Sequence, residues 1–217
     1  MLEYLFREST ARSAAGEEKP PAVILLHGIG SNEADLFGFA PLLDNRFFVA
    51  SARAPFALNY GGYAWFELSF TPQGMSANLS QAEESRLKLL EFIGELTRKH
   101  HLDDRRIFLV GFSQGAIMSY AVMLTEPEKL AGVVAMSGRM IAKTLPQHAE
   151  PERLRDFPIL VTHGTFDQVL PIQSGREARD FLTELPVKLD YREYDMAHQV
   201  SEESLRDVTI WLSEGLK

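Results

Sequence analysis

The chain has 217 residues, 45% of them hydrophobic and 24% charged, with a formal net charge of −8 and no cysteine. That length and balance favour one globular domain over residues 1–217. The acidity argues against a nucleic-acid partner, because phosphate recognition needs clustered Lys and Arg. The missing thiols exclude disulfides, Cys-ligated zinc and a cysteine nucleophile.

No apolar run approaches the roughly 20 residues of a membrane-spanning helix. The stretch Met1 to Glu8 carries acidic residues and no apolar centre, so it does not read as a signal peptide. A cytoplasmic setting is the expectation. Residues 2–9 alternate weakly, as an edge strand would, and Ser13 to Pro21 reads as a turn. Ala22 to Leu26 is a short continuous apolar run, the pattern of a parallel strand buried on both faces. It ends in the glycine-rich loop His27-Gly28-Ile29-Gly30-Ser31-Asn32. Asp35 to Leu43 reads as a helix broken near Pro41, and Arg46 to Ala50 as a strand leading into a loop that reaches Pro72. The stretch from Pro55 to Asn78 is rich in aromatics and glycine, the composition of a functional wall.

Ser80 to His101 has helical spacing, with Leu87, Leu90, Ile93, Leu96 and Leu102 as the expected apolar stripe. Strands follow at Arg106 to Val110, Leu130 to Met136, Pro158 to Thr162 and Val187 to Tyr194, the last nearer an edge. Helices are expected at Ala116 to Leu124, Ser174 to Leu185 and Ser201 to Leu216, with a short excursion over residues 139–157. Strands alternating with helical segments predict a mostly parallel, doubly wound α/β sheet.

Three strand ends carry chemistry. Gly111-Phe112-Ser113-Gln114-Gly115 lies between a strand and a helix, the setting of the nucleophile elbow of α/β-hydrolases. Ser113 is the candidate nucleophile, and the N–H of Gln114 is a candidate oxyanion donor at a helix N-terminus. Asp167 and His198 follow later strands, and the order Ser, Asp, His is that of the same fold. A serine hydroxyl needs a neutral imidazole to accept its proton, which gives His198 the base role and Asp167 that of orienting the ring. Asp195 competes with Asp167 but lies only three residues before His198, and reads as a turn residue. The second oxyanion donor is assigned to Ile29, with Gly28 as the alternative. His100-His101 reads as a solvated helix end, and His27 and His163 as braces for their loops. No third ligand gives either a metal spacing, so neither metal nor cofactor is expected.

Leu26 to Gly30, Ala64-Trp65-Phe66-Glu67, Gly111 to Ala116, His163 to Pro171 and His198 together resemble the phospholipase/carboxylesterase family of α/β-hydrolases. The resemblance implies an esterase without a separate lid domain. It places the triad at Ser113, Asp167 and His198, and backbone donors at Ile29 and Gln114. It also implies an acyl-binding wall at Trp65 and Phe66, with Val169 and Leu170 nearby. Two features depart from the family pattern. Ser31 stands where the thioesterase branch often has aspartate, and Tyr194-Asp195-Met196-Ala197 precedes His198 where glycine and serine are frequent.

The expected activity is hydrolysis of carboxylic esters with apolar short-to-medium acyl groups, on a small-molecule ester substrate. Lysophospholipase or acyl-protein thioesterase activity is the second reading, and a silent ligand-binding scaffold the third. The aromatic segment leaves a homodimer open as a partner.

Overall fold

The computed structural model describes residues 1–10, 19–71, 74–141 and 148–216. Most of the expected turn from Ser13 and the middle of the excursion over 139–157 therefore lie outside the described residues.

The strands are β1 (Tyr4–Arg7), β2 (Ala22–Leu26), β3 (Phe48–Ala52), β4 (Phe56–Ala57), β5 (Tyr63–Ala64) and β6 (Leu68–Thr71). They continue as β7 (Gly74–Ala77), β8 (Ile107–Phe112), β9 (Gly132–Met136), β10 (Pro158–Gly164) and β11 (Lys188–Tyr194). The α-helices are α1 (Ala34–Phe37), α2 (Leu79–Lys99), α3 (Gln114–Thr125), α4 (Ile172–Thr183) and α5 (Glu202–Glu214). Seven strands form one sheet in the order β1-β3-β2-β8-β9-β10-β11. Only the β1–β3 pair is antiparallel; the other five pairs are parallel.

Continuous apolar runs form the central strands because both faces of this sheet are covered. In β2, Ala22, Ile24 and Leu26 face one apolar cluster, while Val23 and Leu25 face the other. β8 divides in the same way, Ile107 and Leu109 against Phe108 and Val110. The first cluster takes in Leu89, Phe92 and Leu96 of α2, Val122 of α3 and Leu182 of α4; the second takes in Leu36 of α1 with Val208 and Leu212 of α5. Full burial of a Leu or Phe side chain contributes about 1.5–3 kcal/mol, so the two faces together carry the main favourable term.

Three expectations change. Ile93, Leu96 and Leu102 of the expected stripe are buried, but Leu87 is 52% exposed, and the buried face of α2 runs instead through Ala82, Ser85, Arg86, Leu89 and Phe92. Neighbouring stripes on one helix share the same spacing, and the one holding Leu89 and Phe92 turned toward the sheet. His100 is not solvated. Its side chain is 9% exposed, its Nε2 lies 3.0 Å from the Tyr4 hydroxyl, and its ring sits 4.5 Å from that of Phe48. The long aromatic loop contains two small hairpins, β4–β5 and β6–β7, too short to show a two-residue alternation in sequence.

Helix starts follow local chemistry. The Asn78 side chain accepts from the Gln81 N–H at 3.2 Å at the head of α2, and Ser201 and Ser204 form a reciprocal capping box before α5. At the sheet edge Arg7 donates to the carbonyl oxygens of Ala40, Leu43, Asp44 and Phe47, tying β1 to the turn before β3.

Candidate active site

β8 runs into Ser113, whose backbone sits at φ 53° and ψ −112°, and α3 starts at the next residue. A serine rarely takes positive φ; the strain costs on the order of 1–3 kcal/mol and must be held by its surroundings. The Ser113 N–H donates to the Met136 carbonyl at 2.9 Å, fixing the turn to the neighbouring strand β9. Gly111 and Gly115 face each other across the turn, and a Cβ on Gly115 would strike the Leu26 carbonyl oxygen. Only glycine lets α3 leave this close to β2, which is why both ends of the pentapeptide are Gly.

Three loops at the carboxyl ends of parallel strands converge here. The Ser113 Oγ lies 3.0 Å from His198 Nε2, and His198 Nδ1 lies 2.7 Å from Asp167 Oδ2. A carboxylate can only accept, so Nδ1 carries the proton and Nε2 is left to accept from the serine hydroxyl. The other Asp167 oxygen accepts from the N–H groups of Val169 at 2.9 Å and Leu170 at 2.8 Å, and the side chain is fully buried. Phe112 packs against the imidazole, ring centres 4.9 Å apart. The rival Asp195 turns away and accepts from the Thr165 hydroxyl at 3.1 Å.

The two loop histidines act as braces. His27 is fully buried; its Nδ1 donates to the Gly28 carbonyl at 2.7 Å and its Nε2 accepts from the Ala54 N–H at 3.1 Å. Burial holds its pKa below the usual histidine value, with only partial compensation from the Gly28 hydrogen bond. His163 donates from Nε2 to the Leu170 carbonyl at 2.7 Å and so fastens the loop that presents Asp167. Among the described residues no group of three or more His, Asp or Glu is arranged to hold a metal ion.

Ser113 opens onto a cavity of about 320 Å³. Phe66, Val169 and Leu170, named above for the acyl wall, line it, and so do Ile29 and Gln114, named there as backbone donors. Leu68, Ala77, Leu79, Ile117 and Ile141 also line it, together with Arg139. Leu68 and Ala77 fall within the Pro55 to Asn78 stretch read above as a functional wall, whereas Leu79 of α2, Ile117 of α3, Ile141 and Arg139 were not singled out, because nothing in the sequence says which side chains beyond that stretch face the serine.

A profile of the phospholipase/carboxylesterase family matches residues 10–215. The chain belongs to that family. It is 32% identical over 216 residues to an acyl-protein thioesterase 1 of Yarrowia lipolytica, covering 90% of this chain and 92% of that protein. It is 29% identical over 219 residues to a probable carboxylesterase of Oryza sativa subsp. japonica, covering 94% and 81%. Among solved structures, the esterase PE8 superposes with a TM-score of 0.78 at 27% identity, covering 98% of each chain. The Bacillus cereus carboxylesterase gives 0.83 at 21% identity over 99% and 95%, a likeness of fold. The α/β-hydrolase-type fold and the family together make this protein an ester hydrolase.

Within this carboxylesterase-family site, Trp65 requires a correction. It is fully buried and does not line the cavity, so it is not part of the acyl wall. Its indole Nε1 donates to the His27 carbonyl at 2.9 Å and its carbonyl accepts from the Ser85 hydroxyl of α2. An indole with a satisfied N–H is more stable inside this junction than on a cavity surface. The side chain of Gln114 was also missed. Its Oε1 accepts from the Trp65 N–H at 2.8 Å and its Nε2 donates to the Phe66 carbonyl at 2.6 Å, clamping the cavity wall to the elbow.

Proposed function

We propose that the protein hydrolyses carboxylic esters of apolar, short-to-medium acyl groups through an acyl-Ser113 intermediate. The observation that carries this reading is the hydrogen-bonded series Ser113 Oγ, His198, Asp167, at 3.0 and 2.7 Å, opening onto an apolar cavity. Ser113 Oγ attacks the carbonyl carbon while its proton passes to His198 Nε2. The negative charge gathering on the carbonyl oxygen is met by the N–H groups of Gln114 and Ile29. Gln114 opens α3, so its N–H has no acceptor within the helix. Collapse of the intermediate expels the alcohol, which takes the proton from Nε2. Water then repeats the sequence on the acyl-enzyme, releasing the acid and restoring the serine. Asp167 stays ionised and stabilises the imidazolium in both halves.

The acyl range follows from space. At ~30 Å³ per water-sized group, the cavity takes roughly ten such groups. Ser113→Ala should reduce p-nitrophenyl ester turnover by about three to six orders of magnitude with the fold intact. Turnover near the parent level in that variant would overturn the assignment, and the absence of a fluorophosphonate adduct on Ser113 would favour a silent scaffold.

Similarity to an acyl-protein thioesterase supports a second reading, thioesterase activity at the same serine, and membership of the phospholipase/carboxylesterase family supports a lysophospholipase variant of it. A chain-length series from acetyl to palmitoyl esters separates the two. A steep loss beyond medium chains supports the first reading. The reaction is assigned to a single domain over residues 1–217, with a cytoplasmic setting inferred from the cysteine-free composition.

A further inference from the structure

Arg139 is the one charged side chain among the described residues lining the cavity at Ser113; the others are apolar or neutral polar. In a chain of net charge −8, the guanidinium groups of the described residues mostly meet carboxylates, as in Arg53 with Glu33, Arg153 with Glu128, and Arg176 with Glu193. Arg139 forms no ion pair among the described residues. The adjoining stretch Ala142 to Gln147 contains no acidic residue to neutralise it.

The backbone holds Arg139 at this place. β9 ends at Met136, the register partner of Phe112 beside the elbow. Ser137 then takes φ 49°, a second left-handed non-glycine residue at the end of a strand neighbouring the first. Its hydroxyl is buried without a hydrogen-bond partner, so no contact of its own side chain explains the turn. The turn is held by the backbone, with Ser137 N–H donating to the Thr162 carbonyl at 2.8 Å. Gly138 follows against α3, where an added Cβ would collide with Ala116 and lie 3.6 Å from the Ser113 carbonyl oxygen. Strain of this kind persists only where surrounding structure over-determines it, and it gathers at functional sites. Here its consequence is to bring to the rim of an apolar cavity a cation that has no ion pair among the described residues.

We propose that Arg139 sets substrate class: the preferred ester carries an anionic oxygen group, a carboxylate or a phosphate, which the guanidinium engages while the apolar portion fills the cavity. The inference rests on the serine-hydrolase reading and narrows it. A guanidinium presents a planar fork that matches either oxyanion, and a charge-assisted pair at a cavity rim discriminates against the uncharged analogue. The group sits on the acyl side or the alcohol side of the ester.

Two matched pairs distinguish these sources. The first compares the p-nitrophenyl half-ester of adipic acid with p-nitrophenyl hexanoate. The second compares a hexanoyl glycerol phosphate with hexanoyl glycerol. The quantity read is the ratio of kcat/KM, anionic over neutral, in the parent and in Arg139→Gln, Arg139→Lys and Arg139→Glu. For at least one pair the ratio should fall about tenfold in Arg139→Gln, chiefly through KM, fall further in Arg139→Glu, and be largely restored in Arg139→Lys. It should also shrink as salt rises. A ratio that stays within about twofold of the parent for both pairs overturns the proposal. The same ratios are read as dissociation constants in Ser113→Ala by calorimetry, so the anion preference is tested even if no ester turns over. Failure of the hydrolase reading would show instead as no turnover of p-nitrophenyl hexanoate and no fluorophosphonate adduct.

Discussion

Gln114→Ala separates the two tasks of one residue. The backbone N–H at the head of α3 survives the change, while the side-chain clamp on Trp65 and Phe66 is lost. Two hydrogen bonds disappear, 2.8 Å from the Trp65 N–H and 2.6 Å to the Phe66 carbonyl. Gln114 is 2% exposed and Trp65 and Phe66 are no more so, leaving a donor and an acceptor unpaired where water has poor access. Each such group costs about 1–3 kcal/mol, so the destabilisation is ~2–6 kcal/mol, near the lower end if a water enters the space left by the amide. For a chain of this size each kcal/mol moves Tm by about 2–4 °C. A drop of roughly 4–24 °C, toward the lower end if water enters, is therefore expected in differential scanning calorimetry, and a lower urea midpoint with it. Freed from its clamp, Phe66 shifts along the cavity wall, and KM for a hexanoyl ester should rise more than kcat falls. A Tm within 1 °C of the parent, with unaltered KM, would refute the idea that this side chain holds the wall.

Two further perturbations address the polar core of the site. In Asp167→Asn the amide oxygen would keep the Val169 and Leu170 N–H groups and turn its NH₂ toward His198 Nδ1, forcing the proton onto Nε2; kcat for p-nitrophenyl esters should fall by about 10⁴, with KM changing far less. The second concerns pH and His27, whose pKa burial holds below the unfolded value of about 6.5. Above that pH the imidazole is neutral in both states and contributes no slope. As pH falls through it the unfolded chain takes up a proton that folded His27 resists, so stability declines by at most about 1.4 kcal/mol per pH unit. Thermal midpoints of the parent and His27→Asn should thus lie further apart at pH 7.5 than at pH 5.5. A constant separation would argue against a buried neutral imidazole.

The sequence by itself determined the sheet and the strand ends at which the candidate site residues stand. Apolar runs such as Ala22 to Leu26 can be stable only where both faces are covered, and Gly111 to Gly115 permits a close strand-to-helix turn that few other residues allow. Both are local constraints, readable from neighbours in the chain. Tertiary structure decided the rest. Leu87 and Leu89 carry the same side chain, and only packing against the sheet determined that Leu89 would be buried. Trp65 stands in an aromatic stretch that reads as a cavity wall. Its indole instead found the His27 carbonyl, a partner 38 residues away in sequence, and was drawn inside. Arg139 has no sequence signal of any kind, since its place at the cavity rim follows from the turn at Ser137 and the packing of Gly138 on Ala116. Residue types carry their reactivity with them along the chain, whereas burial and partnership belong to the folded arrangement of many segments at once.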